Sequence, residues 1–318
     1  MTTLVAAVGL LIGAPTQDRE YDPLRTWGKV KTVDSQFGYG PDKRAVPLRM
    51  YLPQGQKEKS PVLLFSHGLG GSRENNKYLG NHWAGRGYIV VVMQHAGSDE
   101  EVIRNARLGR KLAELKKTAS MKSATDRFRD VKETRNHIEK LNARGEYAGR
   151  FDMQKIGMSG HSFGATTTQA VSGQTYGRLG QVYTDKRIKA ATAFSPGPPK
   201  IGQGAFAEVK VPWLLMTGTE DTSLFANTTT SPRRIVFREL PKSGHFYELV
   251  LDGAKHLAFT DTRPRTLTRR NPNHHKAILA ISSAFWDAYL LENASAREWL
   301  DGTGPRGILV AKDEWARK

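Results

Sequence analysis

The stretch Lys155-Ile-Gly-Met-Ser-Gly160-His161-Ser162-Phe163-Gly164 governs how the rest of the chain is read. Lys155 to Ser159 reads as a short strand and Phe163 to Ser172 as a helix. Between them Gly160, Ser162 and Gly164 spell G-x-S-x-G. A strand that becomes a helix within a few residues crowds two backbones together, which glycine permits. The same turn forces the central residue into a strained conformation that lifts its side chain clear of the sheet. The new helix aims its N-terminal amides at that spot, where negative charge would be stabilised. In a chain with 31 glycines the motif alone is weak and could mark an ordinary Gly-Ser turn. The strand before it and the helix after it give it weight.

Working outward, Pro61–Ser66 (PVLLFS) and Tyr88–Met93 (YIVVVM) are near-continuous apolar runs, as expected of strands buried on both faces. Val46–Leu52, Ile188–Phe194, Val211–Thr217 and Phe246–Leu251 read as further strands. Asn76–Arg86 reads as a helix ended by Gly87. Glu100–Leu141, charged and poor in glycine, reads as two helices broken near Ser120. His274–Leu291 reads as an amphipathic helix with Ile278, Ile281, Phe285, Trp286 and Tyr289 on or near one face. Alternating buried strands and helices predict an α/β fold, a mostly parallel central sheet with helices on both faces and right-handed crossovers. With no linker or repeat in view, 31–318 is expected to be one domain. Within the preceding 1–30 segment, Leu4–Ala14 is a short apolar run followed by Pro15. It reads as the remnant of an export signal, although no Lys or Arg precedes it. That reading makes the protein secreted or periplasmic; the alternative is cytoplasmic.

A serine at such a turn needs a base and an acid to act as a nucleophile. In a parallel sheet the site lies at the C-terminal edge of the strands. His256, in Gly253-Ala-Lys-His256, follows the strand Phe246–Leu251 and so falls at that edge. His245 precedes the strand and falls at the other, which makes it structural. Asp221 follows Val211–Thr217 at the same edge, with Glu220 in reserve. The chain order Ser162, Asp221, His256 differs from the orders in chymotrypsin and subtilisin. An oxyanion would need fixed amide donors. The loop Ser66-His67-Gly68-Leu69-Gly70-Gly71 follows a buried strand and offers the amide of Leu69, and the helix start offers that of Phe163. Without a following G-K-[ST], this loop is not a triphosphate cradle. His67 is expected to pack beneath it. Leu69, Phe163, Pro196, Pro198 and Phe225 read as local packing, with an acyl pocket as the alternative.

The charge balance of 48 basic and 31 acidic residues gives +17. The basic residues are densest at Arg104–Lys122 and at Arg263, Arg265, Arg269 and Arg270. With no nucleic-acid-binding motif, this excess reads as a basic surface, and no nucleic-acid partner is expected. The chain has no cysteine, so disulfides, zinc thiolates and a cysteine nucleophile are excluded. His274 and His275 lack further ligands at zinc spacing, and no metal is expected. No apolar run reaches the roughly 18 residues of a membrane span.

The motifs Phe65-Ser-His-Gly-Leu-Gly70 and Gly160-His-Ser-Phe-Gly164 make the chain resemble serine esterases of the α/β-hydrolase superfamily. The likeness is to dienelactone-hydrolase-like proteins and plasma-type platelet-activating-factor acetylhydrolases, and it covers roughly Val46 to Leu291. Gly253-Ala-Lys-His256 is also similar to polyester-hydrolysing relatives. The resemblance implies cofactor-free ester hydrolysis of a small-molecule or polymeric ester, with oxyanion donors at Leu69 and Phe163. Lipase, amidase or polyester-hydrolase activity on the same triad, or a silent binding protein of this fold, are the alternatives. The chain departs from the pattern at Ala165, where Gly often stands, and at Gln94, where Asp is common before His-x-Gly.

Overall fold

The computed structural model describes residues 20–56, 58–107, 109–198, 203–222, 230–261 and 271–318. The apolar runs become a nine-stranded sheet: β1 (Val30–Tyr39), β2 (Arg44–Pro53), β3 (Ser60–Ser66), β4 (Ile89–Met93), β5 (Phe151–His161), β6 (Ile188–Phe194), β7 (Trp213–Glu220), β8 (Phe246–Lys255) and β9 (Glu314–Arg317). Their spatial order is β1-β2-β4-β3-β5-β6-β7-β8-β9. The run from β4 to β8 is parallel; β1, β2 and β9 pair antiparallel at the edges. With helices on both faces, this is the α/β-hydrolase fold.

The buried parallel strands show why their sequences are apolar throughout. In β3, Leu63 and Phe65 pack into one cluster with Trp83 and Ile281, while Val62 and Leu64 face the other way onto Phe128 and Val171. The first cluster is covered by α1 (Lys77–Gly85) and by the helix predicted from the Ile278–Tyr289 stripe. The second is covered by the helices that flank β5.

One expectation is corrected. The segment after β4 forms three helices, not two: α2 (Glu100–Asn105), α3 (Lys111–Thr118) and α4 (Met121–Ala143). The break at Ser120 stands, because its hydroxyl caps α4 by accepting from Ser123 N at 3.1 Å. The extra break falls at Gly109, whose φ of +85° a helix cannot contain. The edge strands β1 and β9 had no strong signal: β1 is half exposed and β9 has only four residues. The remaining helices are α5 (Phe163–Val171), α6 (Thr230–Arg233), α7 (Ile235–Glu239), α8 (Pro272–Leu290) and α9 (Ala294–Asp301).

Register places the chemistry. Ser66 lies beside Gly160, His161 beside Phe194, and Glu220 beside Lys255. The C-terminal ends of β3, β5, β6, β7 and β8 therefore form one rim. Leu4–Ala14, Phe225 and the Arg263–Arg270 cluster lie outside the described residues. Among the described residues no helix is long and apolar enough to cross a membrane.

Candidate active site

Ser162 sits between β5 and α5 with φ 58° and ψ −113°, a conformation rare for any residue but glycine. Its amide donates to Phe194 O at 2.9 Å, which ties the turn to the end of β6. The two flanking glycines are demanded by close approach. A Cβ on Gly164 would stand 1.9 Å from Ser66 O, and one on Gly160 would stand 2.3 Å from Gly164 O.

Three side chains predicted from the sequence meet here. Ser162 Oγ lies 2.9 Å from His256 Nε2, and His256 Nδ1 lies 2.7 Å from Asp221 Oδ1. An ionised carboxylate only accepts, so Nδ1 carries the imidazole proton and Nε2 is left to accept from the Ser162 hydroxyl. Asp221 is fully buried, with its Oδ2 accepting from Thr217 Oγ1 at 2.8 Å. Burial pushes its carboxyl up, but the bond from His256 and the charge of Arg233 outweigh this and hold it below the usual carboxylate range. Glu220, the reserve acid, is exposed and pairs with Lys255 at 3.6 Å. His245 stacks near Tyr289 at the other end of β8. His274 donates from Nε2 to Asp252 O at 2.8 Å, and His275 stacks on Tyr78. Among the described residues no group of three or more His, Asp or Glu could hold a metal ion.

The loop after β3 closes over Ser162. A Cβ on Gly68 would stand 3.6 Å from Ser162 Cβ. His67 is buried beneath the loop, as expected; its Nδ1 donates to Gly68 O at 2.6 Å and its Nε2 accepts from His95 N at 3.0 Å. A trans peptide points its N–H opposite its C=O. Holding the Gly68 carbonyl toward this buried network therefore turns the Leu69 N–H away from it. The amides of Leu69 and Phe163 have no acceptor among the described residues. Helices α2 and α3 pack on this loop, with Ile103 and Leu115 against Gly70.

Several residues at the site were given no role from the sequence. His161, between Gly160 and Ser162, donates from Nε2 to His256 O at 2.9 Å. Burial, and then His256, push it down to about 3, so it stays neutral. Arg127 is buried under the loop. It donates to His67 O at 2.6 Å and Ser98 Oγ at 2.9 Å, and its guanidinium lies 4.4 Å from the Phe163 ring. Burial brings its pKa down to about 9. Arg127 shares the inner face of α4 with Ala124, Phe128 and Val131, so an arginine at a core position of an apolar stripe was the available signal. Arg233, beside Asp221, had none. Behind the loop lies a second constellation. Ser66 Oγ donates to His95 Nε2 at 2.9 Å, and His95 Nδ1 donates to Asp130 Oδ2 at 2.9 Å. All three are fully buried, and Arg44 adds two bonds to Asp130 at 2.8 and 2.9 Å. A cavity of about 600 Å³ lies at the opposite rim, around the buried Arg86–Asp287 pair, away from Ser162.

A buried parallel sheet with a strained serine at its C-terminal rim, in reach of a carboxylate-backed imidazole, defines an α/β-hydrolase-type site. The family model described as platelet-activating factor acetylhydrolase, isoform II, matches residues 35–99, a stretch that includes the Phe65–Gly70 loop. The platelet-activating factor acetylhydrolase of Cavia porcellus is similar at 25% identity over 196 residues. That match covers 52% of this chain and 42% of the relative's length, so the chain spans less than half of it.

Proposed function

We propose that the protein is a serine hydrolase of carboxylic esters. Ser162 Oγ attacks the ester carbonyl as His256 Nε2 takes its proton. Asp221 holds the imidazole and balances its charge, while the amides of Leu69 and Phe163 receive the oxyanion. The proton passes to the departing alkoxide. Water, deprotonated by His256, then releases the acid from the acyl-serine. The observation that carries this reading is the unbroken chain Ser162–His256–Asp221, at 2.9 and 2.7 Å, on a positive-φ turn. The relatives are named as acetylhydrolases, which favours short acyl esters as first substrates. The test is turnover of p-nitrophenyl acetate and butyrate. Wild-type protein should hydrolyse them and label with a fluorophosphonate; Ser162→Ala should do neither. Full turnover in that variant would remove the assignment.

A further inference from the structure

Arg233 occupies a position that a hydrolase of this kind does not need for its chemistry. It ends the short helix α6 and is 4% exposed. Its Nε donates to Asp221 O at 2.8 Å and lies 3.2 Å from Asp221 Oδ1. One terminal nitrogen donates to the carbonyls of Ser195 and Pro196 at 3.0 and 3.2 Å, just past the end of β6. The other stands 3.3 Å from His256 Nδ1. A guanidinium has no lone pair to offer, and Nδ1 already gives its proton to Asp221. That last contact therefore sets a positive charge against the N–H edge of the imidazole.

Resting on the proposed function, we propose that Arg233 is a fourth, positioning member of the constellation. It fixes Asp221 to the ends of β6 and β7, and it sets a positive charge against the N–H edge of the base, so that removing this charge moves the pH dependence of the reaction. Two effects act in the same direction. The guanidinium repels a positive imidazole directly, and it takes part of the carboxylate's charge that would otherwise stabilise that cation. Among the described residues the other groups facing the pair do not cancel it. His161, from β5, is neutral. Thr217 and Ser195, from β7 and β6, bring hydroxyls and no charge. Glu220 and Lys255 pair with each other at 3.6 Å in solvent. Charge at this place acts on the proposed proton acceptor, whereas the carbonyl contacts act on geometry. The two roles are therefore separable.

The experiment measures kcat/KM on p-nitrophenyl acetate from pH 4.5 to 9 for wild type, Arg233→Lys, Arg233→Gln and Arg233→Met, with Ser162→Ala as a control. Loss of activity in Ser162→Ala establishes the underlying reading; its retention defeats that reading independently of Arg233. In Arg233→Gln the acid limb should move up by about one pH unit, because an imidazole freed of the neighbouring charge protonates more readily. Arg233→Lys keeps the charge and should leave the limb within about a third of that shift, even if its plateau falls. Arg233→Met retains the apolar stem and gives the same readout if the Gln variant folds poorly. If the Gln and Met limbs coincide with wild type while only the plateau and the melting temperature fall, Arg233 is structural and the proposal fails.

Discussion

Two Ser-His-Asp chains lie within this one sheet, and almost everything except their distances differs. Ser162–His256–Asp221 spans 2.9 and 2.7 Å; Ser66–His95–Asp130 spans 2.9 and 2.9 Å. The first serine lies at a positive-φ turn and is half-buried, with unclaimed amides nearby. The second ends a regular strand, is fully buried, and has Arg127 near its hydroxyl at 3.4 Å. A hydroxyl in reach of an imidazole is thus not a reaction centre by itself. Access, strain and waiting donors are what the proposed reaction centre has and the buried constellation lacks.

The largest expected effect tests that distinction directly. Ser162→Ala should lower kcat/KM by about 10⁴-fold or more, with circular dichroism and melting unchanged. Ser66→Ala should stay within about tenfold of wild type. Its main effect should be on urea unfolding, about 1–3 kcal/mol for stranding His95 Nε2. Equal kinetic losses in the two would erase the contrast.

Between the two acids the contrast should likewise lie in the kinetics. Asp221→Asn should cost about 10⁴-fold in kcat, because the imidazole is left in the wrong tautomer, and some stability as well, because the buried Arg233 loses its counter-charge. Asp130→Asn should cost about 3–5 kcal/mol in unfolding free energy, because Arg44 then remains half-buried without its counter-charge.

A smaller effect is expected of Arg127→Met. Freed from Arg127, the His67–Gly68 carbonyls can shift and misdirect the Leu69 amide. The kcat should fall about tenfold to a hundredfold, less than the loss of a donor outright, with KM little changed. A rise in KM at constant kcat would place Arg127 in substrate binding instead.

The smallest effect is a pH slope. Burial, and then Arg127, hold His95 down to about 4, against 6.5 in the unfolded chain. The unfolded state therefore takes up a proton that the fold refuses. The stability His95 contributes is present above pH 6.5, is lost steadily as pH falls toward about 4, and changes no further below that. Asp130 behaves like any depressed carboxyl. Burial raises it, but its bonds to Arg44 and His95 bring it down to about 2, so its contribution is lost between about pH 4 and 2. Urea midpoints should decline from pH 7 to 4; a flat profile would mean that His95 takes up its proton as readily in the fold as in the unfolded chain.

The parts legible in the sequence were those with local periodicity. Continuous apolar runs located β3 and β4, and the edge rule separated His256 from His245 because it depends only on whether a residue precedes or follows its strand. Hidden were features that depend on contacts distant along the chain. β1 and β9 exist because a neighbouring edge accepts them. Ser66, His95 and Asp130 come from three separate segments that nothing local connects. Gln94-His95 looked like a flaw in a family turn, yet Gln94 Nε2 donates to Asp99 Oδ2 at 2.9 Å and His95 forms the hidden constellation.

The bond from His161 to the carbonyl of His256 joins positions 95 residues apart in the chain. It behaves as a polar rivet: the residue beside the serine grips the backbone of the residue that must serve it. The proposed attacking group and proton acceptor are thereby mounted on one support. A jolt to the sheet displaces them together, and their mutual distance outlasts small distortions of the walls around them.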